Sequence, residues 1–258
     1  MLIAIKIGSN VLTRRDGTLD FTRMSALVDQ IAELRQRGNE VILISSGAVA
    51  SGRSEMSMPA AEMDEMGSVE QRQVFSAVGQ AKLIGRYVDL FRDHHIHVGQ
   101  VLTTKDNFLA DEPLQNQHQC MAAMLAHGVL PIVNENDTVC ITELMFTDND
   151  ELSGLIARLM GCQMLIILSN IDGIYTGDPT NPASQLITTI RPGDDLSRYI
   201  QSERSAFGRG GMASKYATAT RVQAAGIPVV IANGKRDDIL TSLIDAPATT
   251  PHTEFVAE

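Results

Sequence analysis

The sequence predicts an α/β fold, a three-layer sandwich in which helices cover both faces of a mostly parallel, open sheet. Three observations carry that prediction. Short apolar runs at residues 2–7 (LIAIKI), 41–44 (VILI), 129–133 (VLPIV), 164–168 (MLIIL) and 229–232 (VVIA) alternate with helix-length amphipathic segments. The runs are continuous rather than polar on every second residue, as strands covered on both faces are. Most of them end in small or polar residues, which is where an open parallel sheet holds its ligands. No linker, repeat or change of composition interrupts the pattern, so a single domain over residues 1–258 is expected.

The elements follow in order. The first strand carries Lys6 near its exit, and a lysine there is costly unless it meets an anion or reaches solvent from an edge. Gly8-Ser9-Asn10 follows, a source of backbone amides that is not a GxxxxGK[ST] loop. Residues 21–37 have helical periodicity and stop at Gly38-Asn39. The second strand ends in Ser45-Ser46-Gly47-Ala48, with a hydroxyl and bare amides for an anion. Residues 53–68 read as a loop with fraying helix. Residues 69–93 form a long amphipathic helix, mildly interrupted by Gly79 and Gly85 and long enough to be a subunit interface. His94, His95 and His97 read as solvated surface, since no acidic or cysteine partner lies at ligand spacing.

A strand is expected at 96–103, a helix at 114–126, and then the strand that opens the richest stretch, NENDTVCITELMFTDNDELSG at 134–154. Two acidic-amide clusters stand there, 134–137 and 148–151, on either side of an alternating run at 138–147 that reads as a hairpin or extended arm. The second cluster opens a helix over 151–159, with Asp148 or Asn149 placed to cap it. Beyond the strand at 164–168, Ser169-Asn170, Asp172-Gly173 and Gly177-Asp178-Pro179 form a ligand-facing loop. The segment FGRGGMASK at 207–215 puts glycines before a helix that runs to Ala225, so free amides and the positive helix end face whatever lies in front. Lys215, in the first turns, can bend back toward the same anion. The last strand, 229–232, leads to a short helix at 239–244 and a tail with an edge strand near Phe255.

Composition narrows the function. A net charge of −10 argues against nucleic acid or an anionic membrane as partner. Cys120, Cys140 and Cys162 lack CxxC spacing, which suggests neither a disulfide framework nor a zinc site. Neither a signal peptide nor a membrane-length apolar run is expected from the pattern, and a reducing cytoplasm is the expected compartment. Strand-end glycine and serine turns, two lysines beside anion-binding turns and an acidic cluster fit phosphoryl transfer, which needs cations and amide donors more than a nucleophilic side chain. GxSxG is absent, and Ser46 has no His in a recognisable triad.

Six blocks in order, KIGSNVLT (6–13), SSGAVASG (45–52), NENDTV (134–139), TDNDELSG (147–154), DGIYTGDP (172–179) and GRGGMASK (208–215), give the chain a resemblance to the bacterial glutamate 5-kinases of the amino acid kinase family across essentially its whole length. The resemblance implies phosphorylation of the γ-carboxylate of L-glutamate by ATP, the first step of proline synthesis. It implies that Lys6 and Lys215 flank the transferring phosphoryl group and that Asp150 holds the two lysines in place. Ser46, Gly47, Asn134, Asp137 and Asn149 would bind glutamate, with Asp137 the counter-charge to its ammonium. ATP would lie on Lys6, Gly8, Ser169, Asn170, Arg209, Gly210, Gly211, Met212, Ala213, Ser214 and Lys215. Mg2+ would bridge the ATP phosphates, held mainly by nucleotide and water rather than by protein side chains.

The part before about residue 160 would serve glutamate and the rest ATP. Proline feedback and a homo-oligomer, dimer or tetramer, are implied as well. Two departures bear on the nucleotide: relatives usually carry Thr-Asp at Ser169-Asn170 and Thr at Arg209. Many relatives add a C-terminal PUA domain, and this chain is expected to lack it. Three other readings stand beside this one. An N-acetylglutamate kinase would need no carboxylate for an ammonium. A carbamate or nucleotide kinase is a further possibility, though a nucleotide substrate would call for more cations. A non-catalytic nucleotide-binding sensor would not need Lys6, Asp150 and Lys215 together.

Overall fold

A computed structural model describes residues 1–139, 148–196, 199 and 211–257. β1 (Leu2–Ile7), β2 (Glu40–Ser45), β3 (Val98–Thr103), β4 (Leu130–Glu135), β5 (Met164–Ser169) and β9 (Val229–Asn233) are the parallel strands of an eight-stranded sheet. It is completed by β8 (Thr189–Ile190) and β10 (His252–Phe255), in the order β3-β4-β2-β1-β5-β9-β10-β8. β10 runs antiparallel to β9 and parallel to β8. The Phe255 strand is therefore interior to the sheet, not an edge: the Thr253 side chain accepts from Ile174 N, and Phe255 is fully buried. A separate antiparallel pair, β6 (Ile174–Tyr175) with β7 (Leu186–Ile187), lies beside it.

Helices cover both faces, as the sequence predicts. α2 (Phe21–Gln36), α5 (Ser68–Arg92) and α9 (Ile239–Asp245) pack on one side with Ile3, Ile5, Ile7, Val41, Leu43, Ile166 and Leu168. α7 (Asn149–Leu159) and α8 (Met212–Gln223) pack on the other with Ala4, Ile42, Ile44, Leu165 and Ile167. α6 (Asp111–Ala126) adds Met121 to that second core. Side chains alternate across a strand, so Lys6 falls on the α7/α8 face with Ala4. Because β1 is flanked by β2 and β5, Lys6 has no edge from which to reach solvent.

Two helical segments depart from the sequence reading. Ser9–Leu12 makes one short turn, α1. Residues 53–68, expected as loop with fraying helix, hold the last turn of α3 (Ala48–Met56) and the whole of α4 (Ala60–Glu65). α3 shows almost no apolar stripe because it packs by backbone. A Cβ on Gly52 would come within 1.8 Å of Phe75 O, and one on Gly79 within 1.8 Å of Ala48 O. Gly79 is thus one of the points at which α5 touches α3, rather than a weakness in α5.

Candidate active site

Lys6, Asp150 and Lys215 come from three elements and meet under one cleft. Asp148 caps α7, its Oδ1 accepting from Asp150 N at 2.8 Å and Glu151 N at 3.1 Å, which sets Asp150 in the first turn. α8 lies close against α7 because Gly154 leaves room: a Cβ there would meet Thr218 Cγ2 at 2.8 Å. That close packing lets Lys215 Nζ donate to Asp150 Oδ2 at 2.9 Å, while Lys6 Nζ stands 2.6 Å from Asp150 Oδ1. Burial alone would push the fully enclosed Asp150 carboxyl up, but the two ammoniums outweigh it and hold it below its ordinary value. Within this triad two cations meet one anion, a local positive excess that an anionic ligand compensates; the Asp148 carboxyl, pushed up by burial and by the Asp150 charge, lies in coulombic reach of Lys6.

Helix starts add donors. Gly47, at φ +106°, begins α3, and Gly211 begins α8; neither start has a side-chain cap. Both therefore leave first-turn amides and the positive helix end toward the cleft. Gly8 does something other than the expected donation, since its amide is taken by Leu168 O at 3.2 Å. Its lack of a Cβ instead allows the approach to Leu168 O, beside Lys6 Nζ.

A hydrogen-bonded network joins three more predicted residues. Asn149 Nδ2 donates to Ser46 Oγ and to Asn134 Oδ1, both at 2.9 Å, and Asn134 Nδ2 donates to Gln80 Oε1 at 2.8 Å. With its nitrogen committed, Asn149 turns Oδ1 the other way, where it is buried without a hydrogen bond and suits a ligand donor. Asp137 is paired with Arg72 of α5, whose Nε donates to its Oδ1 at 2.7 Å; the same guanidinium donates to Glu135 Oε2 at 2.7 Å. Tyr87, farther along α5 and fully buried, is 2.8 Å from Ser45 Oγ, beneath the Ser46 turn. Arg72, Gln80 and Tyr87 recur about two turns apart on α5. Sequence reading missed all three, since nothing in the helical periodicity sets them apart from other polar positions.

A cleft of about 1280 Å³ spans the arrangement. Lys6, Gly8, Ser46, Gly47, Asn134, Asp137, Asn149, Ser169, Asn170, Gly211, Met212 and Lys215 line it; Asp150 is buried behind, and Ala213 and Ser214 continue the first turn of α8. Arg209 and Gly210 lie outside the described residues. Lys235 also borders the cleft. On the metal question, no group of three His, Cys, Asp or Glu side chains is assembled among the described residues. One feature does suit a cation. Asp148 Oδ2 is buried with no well-formed hydrogen bond, and burial, then the Asp150 charge, push that carboxyl up.

A sequence model of the amino acid kinase family matches residues 1–233. The chain belongs to the amino acid kinase family. It is 64% identical to the glutamate 5-kinase of Bacteroides thetaiotaomicron over 254 residues, 98% of this chain and 69% of that enzyme. It is 44% identical to the glutamate 5-kinase of Chlorobaculum tepidum over 257 residues, 99% of this chain and 69% of that one. Its fold matches the Giardia lamblia carbamate kinase bound to AMP-PNP with a TM-score of 0.70 at 15% identity, over 100% of this chain and 98% of that one. Within this amino acid kinase, the lysine pair and the amide network stand at the carboxyl ends of β1, β2, β4 and β5, the ligand edge of an open parallel sheet. Among the described residues, no helix is long and apolar enough to cross a membrane.

Proposed function

We propose that the protein transfers the γ-phosphoryl group of ATP to the γ-carboxylate of L-glutamate, giving L-glutamyl 5-phosphate and ADP, as the first step of proline synthesis. The observation that carries the reading is the buried Lys6–Asp150–Lys215 cluster opening onto a cleft whose other wall holds Asp137 and Asn149. A transferring phosphoryl group spreads charge over its oxygens, and the excess positive charge answers that charge as it develops. Asp150 keeps the two ammoniums oriented without neutralising both. The attacking γ-carboxylate is already a nucleophile, so no side chain needs to take a proton from it.

In this reading the uncapped start of α8, with Gly211, Met212, Ala213 and Ser214, takes phosphate oxygens of the nucleotide, and Ser169 and Asn170 lie along it. The start of α3, with Ser46 and Gly47, takes the amino acid's γ-carboxylate, and Asp137 with Asn149 Oδ1 takes its ammonium. Mg2+ supplies charge neutralisation on the ATP phosphates, and Asp148 Oδ2 is the protein oxygen suited to it. The part before about residue 160 handles the amino acid and the rest the nucleotide. Proline as a feedback inhibitor acting on this domain, a dimeric or tetrameric assembly and a cytoplasmic location belong to the same proposal.

The test is a hydroxylamine trap with Mg-ATP and, in parallel, L-glutamate, N-acetyl-L-glutamate or L-aspartate. Hydroxamate from glutamate alone is expected. Hydroxamate only from another acid would keep the phosphoryl site and overturn the substrate, and none from any acid would favour a nucleotide sensor.

A further inference from the structure

Of the three charges on glutamate, the reading above seats two: the γ-carboxylate at the phosphoryl end and the ammonium at Asp137. The α-carboxylate is left. We propose that Arg72 is its receptor, a specificity-determining residue that acts with Glu135 and Asp137 to read the zwitterionic head of an α-amino acid. The inference rests on the glutamate reading.

The geometry supplies the argument. Arg72 borders the cleft from α5, its side chain 19% exposed, and binds Asp137 and Glu135 through charge-assisted bonds of 2.7 Å. The ammonium and α-carboxylate of an amino acid share one carbon. An ammonium on Asp137 therefore brings the carboxylate beside the guanidinium that touches the same Asp137 oxygen. A planar guanidinium fork matches a carboxylate better than a lysine does. Charge completes the case. Within this triad one cation stands between two anions, an arrangement that disfavours a bare carboxylate and admits one that carries its own ammonium. A dicarboxylic acid without the ammonium, and a γ-amino acid without the α-carboxylate, should each lose one half of the recognition.

The trap assay with ATP and three acceptors separates the halves: L-glutamate, glutarate (no ammonium) and 4-aminobutyrate (no α-carboxylate). Wild-type protein is expected to prefer glutamate over 4-aminobutyrate by roughly ten- to a hundredfold in kcat/KM. R72Q should bring that preference close to one, mainly through KM for glutamate, and keep the preference over glutarate. D137N should do the reverse. A purely structural role for Arg72 would weaken all three acceptors alike, and R72Q that keeps the full preference over 4-aminobutyrate overturns the inference. R72K keeps the charge without the fork and should fall between; if R72Q does not fold, an unchanged preference in R72K overturns the inference instead. Wild-type protein inert on glutamate would overturn the substrate reading and this inference with it, whereas active wild type with an unaltered variant overturns the inference alone.

Discussion

Two three-charge clusters stand in one cleft with opposite arithmetic. At the Lys6–Asp150–Lys215 end two cations share one carboxylate; at the Arg72–Glu135–Asp137 end two carboxylates share one guanidinium. The first is nearly sealed, its side chains 0–8% exposed, so its surplus positive charge acts through a low dielectric. The second is a little more open at Arg72, whose side chain is 19% exposed. In the proposed reading the first excess meets phosphoryl oxygens, and the second meets an ammonium that brings its own carboxylate to Arg72. The lesson is that the ratio of charges in a buried cluster, more than the residue types, states what the cluster is for.

Asp150→Ala leaves two buried ammoniums facing each other and should cost about 3–5 kcal/mol of stability, read from urea unfolding. The pH profile sharpens the point. Asp150 is held below its ordinary value, so its contribution is present above an unfolded-state pKa of about 3.9 and is lost as pH falls through its lower folded value. Asp150→Asn should therefore unfold with a flatter acid limb than wild type. Lys6→Ala removes the surplus while leaving an ion pair; kcat should fall by about 10³-fold with the melting temperature changed far less. Equal loss of kcat and fold in that variant would refute the assignment.

At the other end Asp137→Asn should raise KM for glutamate by about ten- to a hundredfold and spare kcat. Gly79→Ala tests whether the two ends are held by one scaffold. Its Cβ would press on Ala48 O and Gly52 N, both backbone, at a cost of about 1–3 kcal/mol, and should raise KM for glutamate as the Ser46–Gly47 turn shifts. The smallest effect belongs to Tyr87→Phe, which removes one buried hydrogen bond to Ser45, about 1 kcal/mol, without changing either surplus.

Much of the first cluster was legible in the chain. A lysine at the end of an apolar strand is anomalous on its own, and acids opening a helix stand beside their own cap, so Lys6 and Asp150 announced themselves locally. The second cluster did not. Arg72 is 63 residues before Glu135 and 65 before Asp137, on a helix whose polar positions look alike, and only the packing of α5 over the strand ends brings the three together. α3 escaped for a related reason. Sequence periodicity reports side-chain burial, and a helix seated through Gly52 and Gly79 buries backbone instead. The interior position of β10 was hidden because four residues, HTEF, carry no sign of which neighbours they will find.

The backbone contact of α3 with α5 reaches beyond stability. A seam whose closest points are backbone against backbone, at Gly52 with Phe75 and at Gly79 with Ala48, has little room to repack, so the two helices form a single exchangeable part. Residues 46–47 at one end of that part and Arg72, Gln80 and Tyr87 along it belong to the proposed amino acid site or hold its neighbours in place. Anyone retuning this scaffold for a different acid should transplant the segment from β2 through α5 whole, because either helix borrowed alone would arrive with the wrong surface on its partner.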